Sequence, residues 1–164
     1  MTKKHSYIYK NSNAENLRLY IIELTLQIEK TTSQVLGDFL NIDWKNSNSL
    51  GHKSVALSFN QKIQLIQDIK GLNKNDRKMF TDLMTIRNKF AHIDEIRTFK
   101  DFFNLGSNGT SVKKNLDNWY SKKYYNPENN DEEFKYRVFF HWLFLDIMFI
   151  LIKKVGEHHK LENE

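Results

Sequence analysis

The chain has 164 residues, of which 40% are hydrophobic and 27% are charged, a composition typical of a globular domain of ordinary size. It has no cysteine, which excludes disulfides, cysteine-based zinc sites and thiol nucleophiles and is compatible with a reducing cytoplasm. The net charge of +5 favours an anionic partner such as RNA, although proteins without such a partner can be equally basic. With six glycines and one proline, little interrupts long helices, so we predict a single all-α domain over residues 1–164.

The N-terminal segment has no apolar core, so it is not a secretory signal, and we expect the chain to be cytoplasmic. We also expect its ends, at about 1–11 and 157–164, to be frayed. Ser12 and Glu15 resemble a capping box, and apolar residues then recur at helical spacing as far as Phe39. This pattern predicts a first long helix.

The next segments predict a loop and a second helix. A polar stretch at residues 41–58 interrupts the helical pattern and indicates a long loop. Ser58 then caps a helix that ends at Gly71. The predicted apolar face of this helix consists of Phe59, Ile63, Ile66 and Ile69. A tight connection leads to a third helix, capped by Asn73 or Asn75, so the second and third helices should be antiparallel neighbours.

The third helix, which extends to about Ile96, carries two apolar strips. The first strip recurs at spacings of three and four residues and predicts a stripe buried in the chain's own bundle. It consists of Met79, Leu83, Ile86, Phe90 and Ile93. The second strip, Phe80, Met84 and Ala91, lies beside the first on an ideal helix. Because two strips need two partners, we predict that the second strip is the interface of a homodimer.

Beyond the third helix, a short apolar segment from Phe99 to Leu105 precedes a stretch in which lysines alternate with aromatic residues. The stretch contains Lys113, Lys114, Lys122 and Lys123, with Trp119, Tyr120, Tyr124 and Tyr125. Such a mixture can bind RNA, the cations meeting phosphates and the rings stacking on unpaired bases. The alternative, which we favour, is an amphipathic helix that buries Val112, Leu116 and Trp119 and leaves a solvated basic face.

The last helix begins in the acidic run 131–133, which complements the helix dipole, and extends to about Gly156. Its apolar run of about 15 residues is shorter than the roughly 20 that a bilayer requires, and it contains a central Asp146. We interpret Asp146 and His141 as polar groups of the core or of an interface, because five positions on a helix separate their directions. The predicted fold is an up-and-down bundle of four main helices with one or two short accessory helices.

One stretch of the third helix contains side chains suited to catalysis, namely Arg87-Asn88-Lys89-Phe90-Ala91-His92. Its first and last residues lie about 140° apart on an ideal helix. His92 can take a proton from a ribose 2′-hydroxyl or give one to the leaving 5′-oxygen, and Arg87 can stabilise the phosphate charge. Asn88, four residues before His92, can orient the imidazole. A simpler interpretation is that Arg87 reaches to water and His92 bonds local backbone.

Arg-Asn, three residues and His on an amphipathic helix resembles the signature of the HEPN superfamily. The flanking residues from Leu57 to Phe103 resemble its mannitol-repressor-like branch. The resemblance implies a homodimer in which Arg and His from two subunits face a cleft and cut RNA, often as a toxin or in defence against phage, with an antitoxin or regulatory protein as a further partner. The catalytic residues are then Arg87, Asn88 and His92. Apart from the resemblance, we predict Lys89 and the lysines of the lysine-aromatic stretch, Lys113, Lys114, Lys122 and Lys123, as RNA-binding residues.

Two functions therefore stay open. One is a ribonuclease, and the other is a non-catalytic, mannitol-repressor-like transcriptional regulator or helical interaction module in which the motif braces the dimer. An open, positively lined groove at Arg87 and His92 favours cleavage, whereas burial with every donor paired favours bracing. No residues have the spacing of a metal site, so we predict chemistry without a metal or cofactor. Asp94 stands where the antitoxin-paired branch has a Tyr, so regulation by modification of that Tyr is not expected.

Overall fold

A computed structural model describes residues 16–51, 53–123 and 131–162, the side chains of residues 161 and 162 excepted. These residues form six helices and no strand, which confirms the all-α prediction. The helices are α1 (Leu17–Phe39), α2 (Phe59–Lys70), α3 (Lys74–His92), α4 (Phe99–Phe103), α5 (Ser107–Tyr120) and α6 (Glu132–Glu162). The up-and-down arrangement of four main helices stays a prediction, and the proposed capping box at Ser12 lies outside the described residues.

The chain divides into two compact units. The first consists of the described residues of Met1–Thr25 together with those of Thr81–Leu145, and the second of those of Leu26–Phe80 and Asp146–Glu164. Within the described ranges, no helix combines the length and the apolar character needed to cross a bilayer.

The core of the first unit is rich in aromatic rings. Phe90 of α3 packs edge-on against Phe99 of α4, with 5.6 Å between the ring centroids. Phe103 of α4 meets Tyr136 of α6 in the same way at 4.6 Å. Offset and edge-on rings attract each other beyond the area that they bury. The short α4 is therefore fixed between α3 and α6, directly after the segment that carries the Arg-His motif.

The second unit contains α2, whose start follows the prediction. Ser58 and Gln61 form a capping box there, and Gly71 ends the helix with a φ of 65°, a conformation that favours glycine. The buried face differs from the predicted one, because Lys62 is 3% exposed whereas Ile69 is 37% exposed. The helix is thus rotated so that a lysine, rather than its last isoleucine, faces inward.

Two helix ends also differ from the prediction. Helix α3 ends at His92 rather than near Ile96, so the histidine of the motif lies in its last turn. Helix α6 continues through Glu162, beyond the predicted end near Gly156, so the segment expected to fray is helical that far. A Cβ added at Gly156 would meet no atom within 4 Å, so no neighbouring group requires a glycine at this position.

Candidate functional site

The motif lies on α3, and local sequence determines how that helix begins and turns. Asn73 Oδ1 accepts a hydrogen bond from the Asp76 backbone N–H at 2.9 Å, so Asn73 rather than Asn75 caps the helix. Leu83, Ile86 and Phe90 are fully buried, as their spacing predicts. With this stripe facing inward, the polar residues of the motif are directed towards the surface.

The three predicted catalytic residues all retain some contact with solvent. Arg87 is half-buried, and Asn88 and His92 are exposed. Arg87 Nη1 donates a hydrogen bond of 3.0 Å to Asn88 Oδ1. Within the described residues, no hydrogen bond joins His92 to either of them. The prediction that Asn88 orients the imidazole is therefore not met in the single chain, where the Asn88 amide oxygen binds Arg87 instead.

The guanidinium group of Arg18, in α1, contacts the C-terminal end of α3. Arg18 Nη2 donates to the backbone oxygen of Ala91 at 2.9 Å, and Arg18 Nη1 pairs with Asp94 Oδ1 at 3.0 Å. Unpaired carbonyls at a helix C-terminus carry partial negative charge, which a cation stabilises. The residues on either side of His92 are thereby fixed while the His92 ring itself stays exposed.

Arg18 also belongs to a surface groove of about 280 Å³ that sequence reasoning did not find, here called the arginine groove. Its lining residues are Asn16, Leu17, Arg18, Ile96, Arg97 and Arg137. Arg18 is paired with Asp94, and Arg137 lies 3.6 Å from a carboxylate oxygen of Glu133. Three guanidinium groups against these two carboxylates leave one positive charge in excess at the groove, and a guanidinium group can bind phosphate.

The structure buries one residue of the predicted dimer strip and leaves the other two partly exposed. Phe80 is 2% exposed and packs against Phe59, with 6.3 Å between the ring centroids, so it belongs to the chain's own core. This corrects its assignment to a surface, because a ring already covered offers little area to a second subunit. Met84 and Ala91 are half-buried and keep part of their surface in solvent. The interface therefore stays a prediction for these two residues.

Lys113, predicted to bind RNA, is instead engaged within its own unit. Its ammonium donates to the Tyr136 hydroxyl and lies 3.4 Å from Asp117 and 3.5 Å from Glu132. The hydrogen bond to Tyr136 and the charge of Asp117 raise the pKa of Lys113. Lys113 also lines a groove of about 600 Å³ that contains three carboxylates, Asp131, Glu132 and Glu133, which disfavour an anionic polymer.

Three of the other four lysines are more accessible than Lys113. Lys114, Lys122 and Lys123 are exposed, and Lys89 is half-buried. Lys123 lies 5.5 Å from the centre of the Tyr120 ring, but that ring is fully buried and cannot stack on a base. Tyr124 and Tyr125 lie outside the described residues. The lysine-aromatic stretch is thus mainly the amphipathic helix α5, in which Val112 and Leu116 are buried and Trp119 is half-buried.

His141 is the buried histidine of the first unit. Its Nδ1 is hydrogen-bonded to the Tyr20 hydroxyl, and its Nε2 has no hydrogen-bond partner among the described residues. Burial lowers the pKa of His141 below its usual value of 6.5. His141 is buried, as predicted for a polar group of the core. Only one of its two ring nitrogens has a hydrogen-bond partner among the described residues.

Within the described part of the chain, no three His, Asp or Glu side chains are grouped so that they could hold a metal ion. Comparison with protein-family models, with curated proteins and with solved structures gives no match for this chain.

Proposed function

We propose that the chain is an endoribonuclease of HEPN type, acting as a toxin or as an effector of defence against phage. The observation that carries the proposal is an exposed histidine, His92, in the last turn of α3. His92 does not line the arginine groove, but its neighbour Ala91 accepts a hydrogen bond from Arg18, which does. An accessible imidazole can reach a substrate, and the half-buried guanidinium of Arg87 on the same helix can bind its phosphate. We assign the reaction to RNA cleavage because residues 87–92 resemble the HEPN signature.

In this proposal the reaction needs only side chains. The imidazole of His92 accepts the proton of a ribose 2′-hydroxyl, and the 2′-oxygen attacks the adjacent phosphorus. The bond from phosphorus to the 5′-oxygen breaks, and that oxygen takes up the proton that the His92 imidazolium gives back. Arg87 stabilises the negative charge that develops on the non-bridging phosphate oxygens. The products are a 2′,3′-cyclic phosphate and a 5′-hydroxyl end.

We further propose that each active site combines Arg87 of one subunit with His92 of another. In a single chain Arg87 binds Asn88, and the helix directs the two groups about 140° apart. A two-fold axis next to α3 would bring a second copy of each group to the same phosphate. Met84 and Ala91, which keep exposed surface, lie on the face that such an arrangement would cover.

The decisive experiment incubates the purified full-length protein with end-labelled single-stranded RNA in the presence of EDTA. We expect cleavage by the wild type, and a loss of about 100- to 10,000-fold in rate for His92→Ala, because a general acid or base has been removed. The matched control is His159→Ala, which removes another exposed histidine, one paired with Asp38 at 3.0 Å. Equal cleavage by wild type and His92→Ala would reject the ribonuclease and favour the regulator.

A further inference from the structure

The second unit contains a groove that the proposed ribonuclease does not use. It has a volume of about 540 Å³ and lies between α1, the loop before α2 and the start of α2. Its charged and polar lining includes Glu29, Lys30, Ser33, Lys53 and Lys62. We call it the lysine groove, because three lysines line it against a single carboxylate.

Lys62 is the unusual member of this groove. It is 3% exposed, and its ammonium donates one hydrogen bond of 3.0 Å to Ser33 Oγ, a side chain that is equally buried. The structure gives Lys62 no ion pair with any described carboxylate, although Glu29 lines the same groove. A buried ammonium has three N–H groups to satisfy and normally needs an opposite charge. Lys62 therefore has unused hydrogen-bonding capacity and no described counter-ion.

The direction of the hydrogen bonds argues against a serine nucleophile here. Ser33 Oγ donates to the backbone oxygen of Glu29 at 3.3 Å and accepts from Lys62. Activation of Ser33 would instead require the lysine to accept the hydroxyl proton. The Lys62 nitrogen is thus a donor held in place by a hydroxyl, which is the arrangement of a binding group.

We propose that the lysine groove binds the oxyanion of a small molecule, a phosphate or carboxylate group, with Lys62 as its buried counter-ion. Lys30 and Lys53 are exposed and add positive charge at the rim. Leu26, Ala56 and Leu57 supply an apolar wall for the body of the ligand. Small-molecule sites commonly combine such a wall with a few placed polar groups. None of these residues belongs to the Arg-His motif, so the proposal is independent of RNA cleavage.

The test titrates the full-length protein with inorganic phosphate and, separately, with acetate at constant ionic strength, and follows thermal unfolding and backbone amide NMR shifts. We expect one of the two anions to raise the melting temperature in a saturable way, because ligands that bind only the folded state stabilise it. We expect the shifts to concentrate on the groove amides of Gly51, Ala56 and Leu57. The stronger anion distinguishes a phosphate ligand from a carboxylate ligand.

Lys62→Met preserves most of the side-chain volume without the charge, and we expect it to weaken anion binding by at least about tenfold. Lys78→Met, which removes an exposed lysine that does not line the groove, should bind like the wild type. Lys30→Met removes an exposed rim charge and should weaken binding several-fold even if Lys62→Met folds poorly. The proposal is overturned if neither anion shifts the groove amides of the wild type, or if Lys62→Met and Lys78→Met bind equally.

Discussion

At the scale of single residues, His92 and His141 show how environment separates two chemically identical side chains. His92 is exposed at the end of α3, where we propose that it acts on RNA. His141 is buried with one ring nitrogen bonded to Tyr20 and the other without a partner among the described residues. Its charged form is therefore disfavoured. The first is a candidate for catalysis, and the second links stability to pH.

We expect the free energy of unfolding to fall as the pH drops below about 6.5, because the unfolded chain then binds a proton at His141 that the folded chain does not. One such group contributes at most about 1.4 kcal/mol per pH unit. His141→Gln keeps a hydrogen-bonding side chain next to Tyr20 but does not titrate, so its unfolding free energy should fall less steeply. Urea unfolding from about pH 7 to about pH 5 measures both slopes. Parallel slopes would contradict the assignment to His141.

At the scale of elements, Gly109 shows how closely α5 packs against α4. A Cβ added to Gly109 of α5 would lie 2.3 Å from the backbone oxygen of Phe102 and 2.9 Å from the Cα of Phe103. These atoms belong to the backbone, which cannot move aside as a flexible side chain would. The spacing of α4 and α5, and with it the position of the three phenylalanines of α4, depends on that missing methyl group.

Gly109→Ala should therefore destabilise the protein by about 1–3 kcal/mol through overpacking, although alanine is the better helix former. The matched variant is Gly156→Ala in α6, where an added Cβ would meet no atom within 4 Å. We expect that change to stabilise the protein by up to about 1 kcal/mol. Chemical denaturation compares the two, and stabilisation by Gly109→Ala as well as by Gly156→Ala would show that α5 has room for the methyl group.

At the scale of the whole molecule, the proposed activity depends on a second copy of the chain. The surface available for it on α3 includes Met84 and Ala91 but not Phe80, which the core already covers. We expect the wild type to be a dimer by light scattering, and Met84→Glu to be largely monomeric because it places charge in the interface. Leu19→Glu introduces the same charge at an exposed apolar position and serves as the control. A monomeric wild type at micromolar concentration would refute the interface.

Because each proposed active site combines residues of two subunits, two different inactive variants should restore activity when they are mixed. Arg87→Ala and His92→Ala should each be inactive alone, since removing a charge-stabilising group costs about 100- to 1,000-fold in rate. Mixed and re-associated, half of the dimers carry one intact site, so roughly a quarter of the wild-type RNA cleavage should return. The same gel assay of RNA cleavage measures this recovery. No recovery from mixtures that mass analysis shows to be heterodimeric would place Arg87 and His92 of one chain in the same site.

Features that rest on neighbours in the chain could be predicted from the sequence alone. The all-α class, the N-cap at Ser58, the stop at Gly71 and the buried stripe of α3 from Met79 to Phe90 follow from contacts within one or two helical turns, whereas Ile93, predicted as its last member, lies beyond α3 and is half-buried. The motif at residues 87–92 could be found in the same way, because its residues are adjacent. The end of α3 could not, since Arg18, which contacts the α3 end at Ala91, comes from a distant segment.

Burial and pairing were decided by the tertiary structure. Lys62 faces inward because Ser33, 29 positions away in the chain, accepts its hydrogen bond. The Lys113 ammonium is engaged because Tyr136, 23 positions away, accepts its hydrogen bond. The arginine groove joins side chains from the beginning, middle and end of the first unit. Helical periodicity records how apolar a position is but not which distant group it meets. The sequence alone thus determined the all-α class and the residues of the motif, whereas long-range contacts decided where α3 and α6 end and which charged side chains are buried or paired.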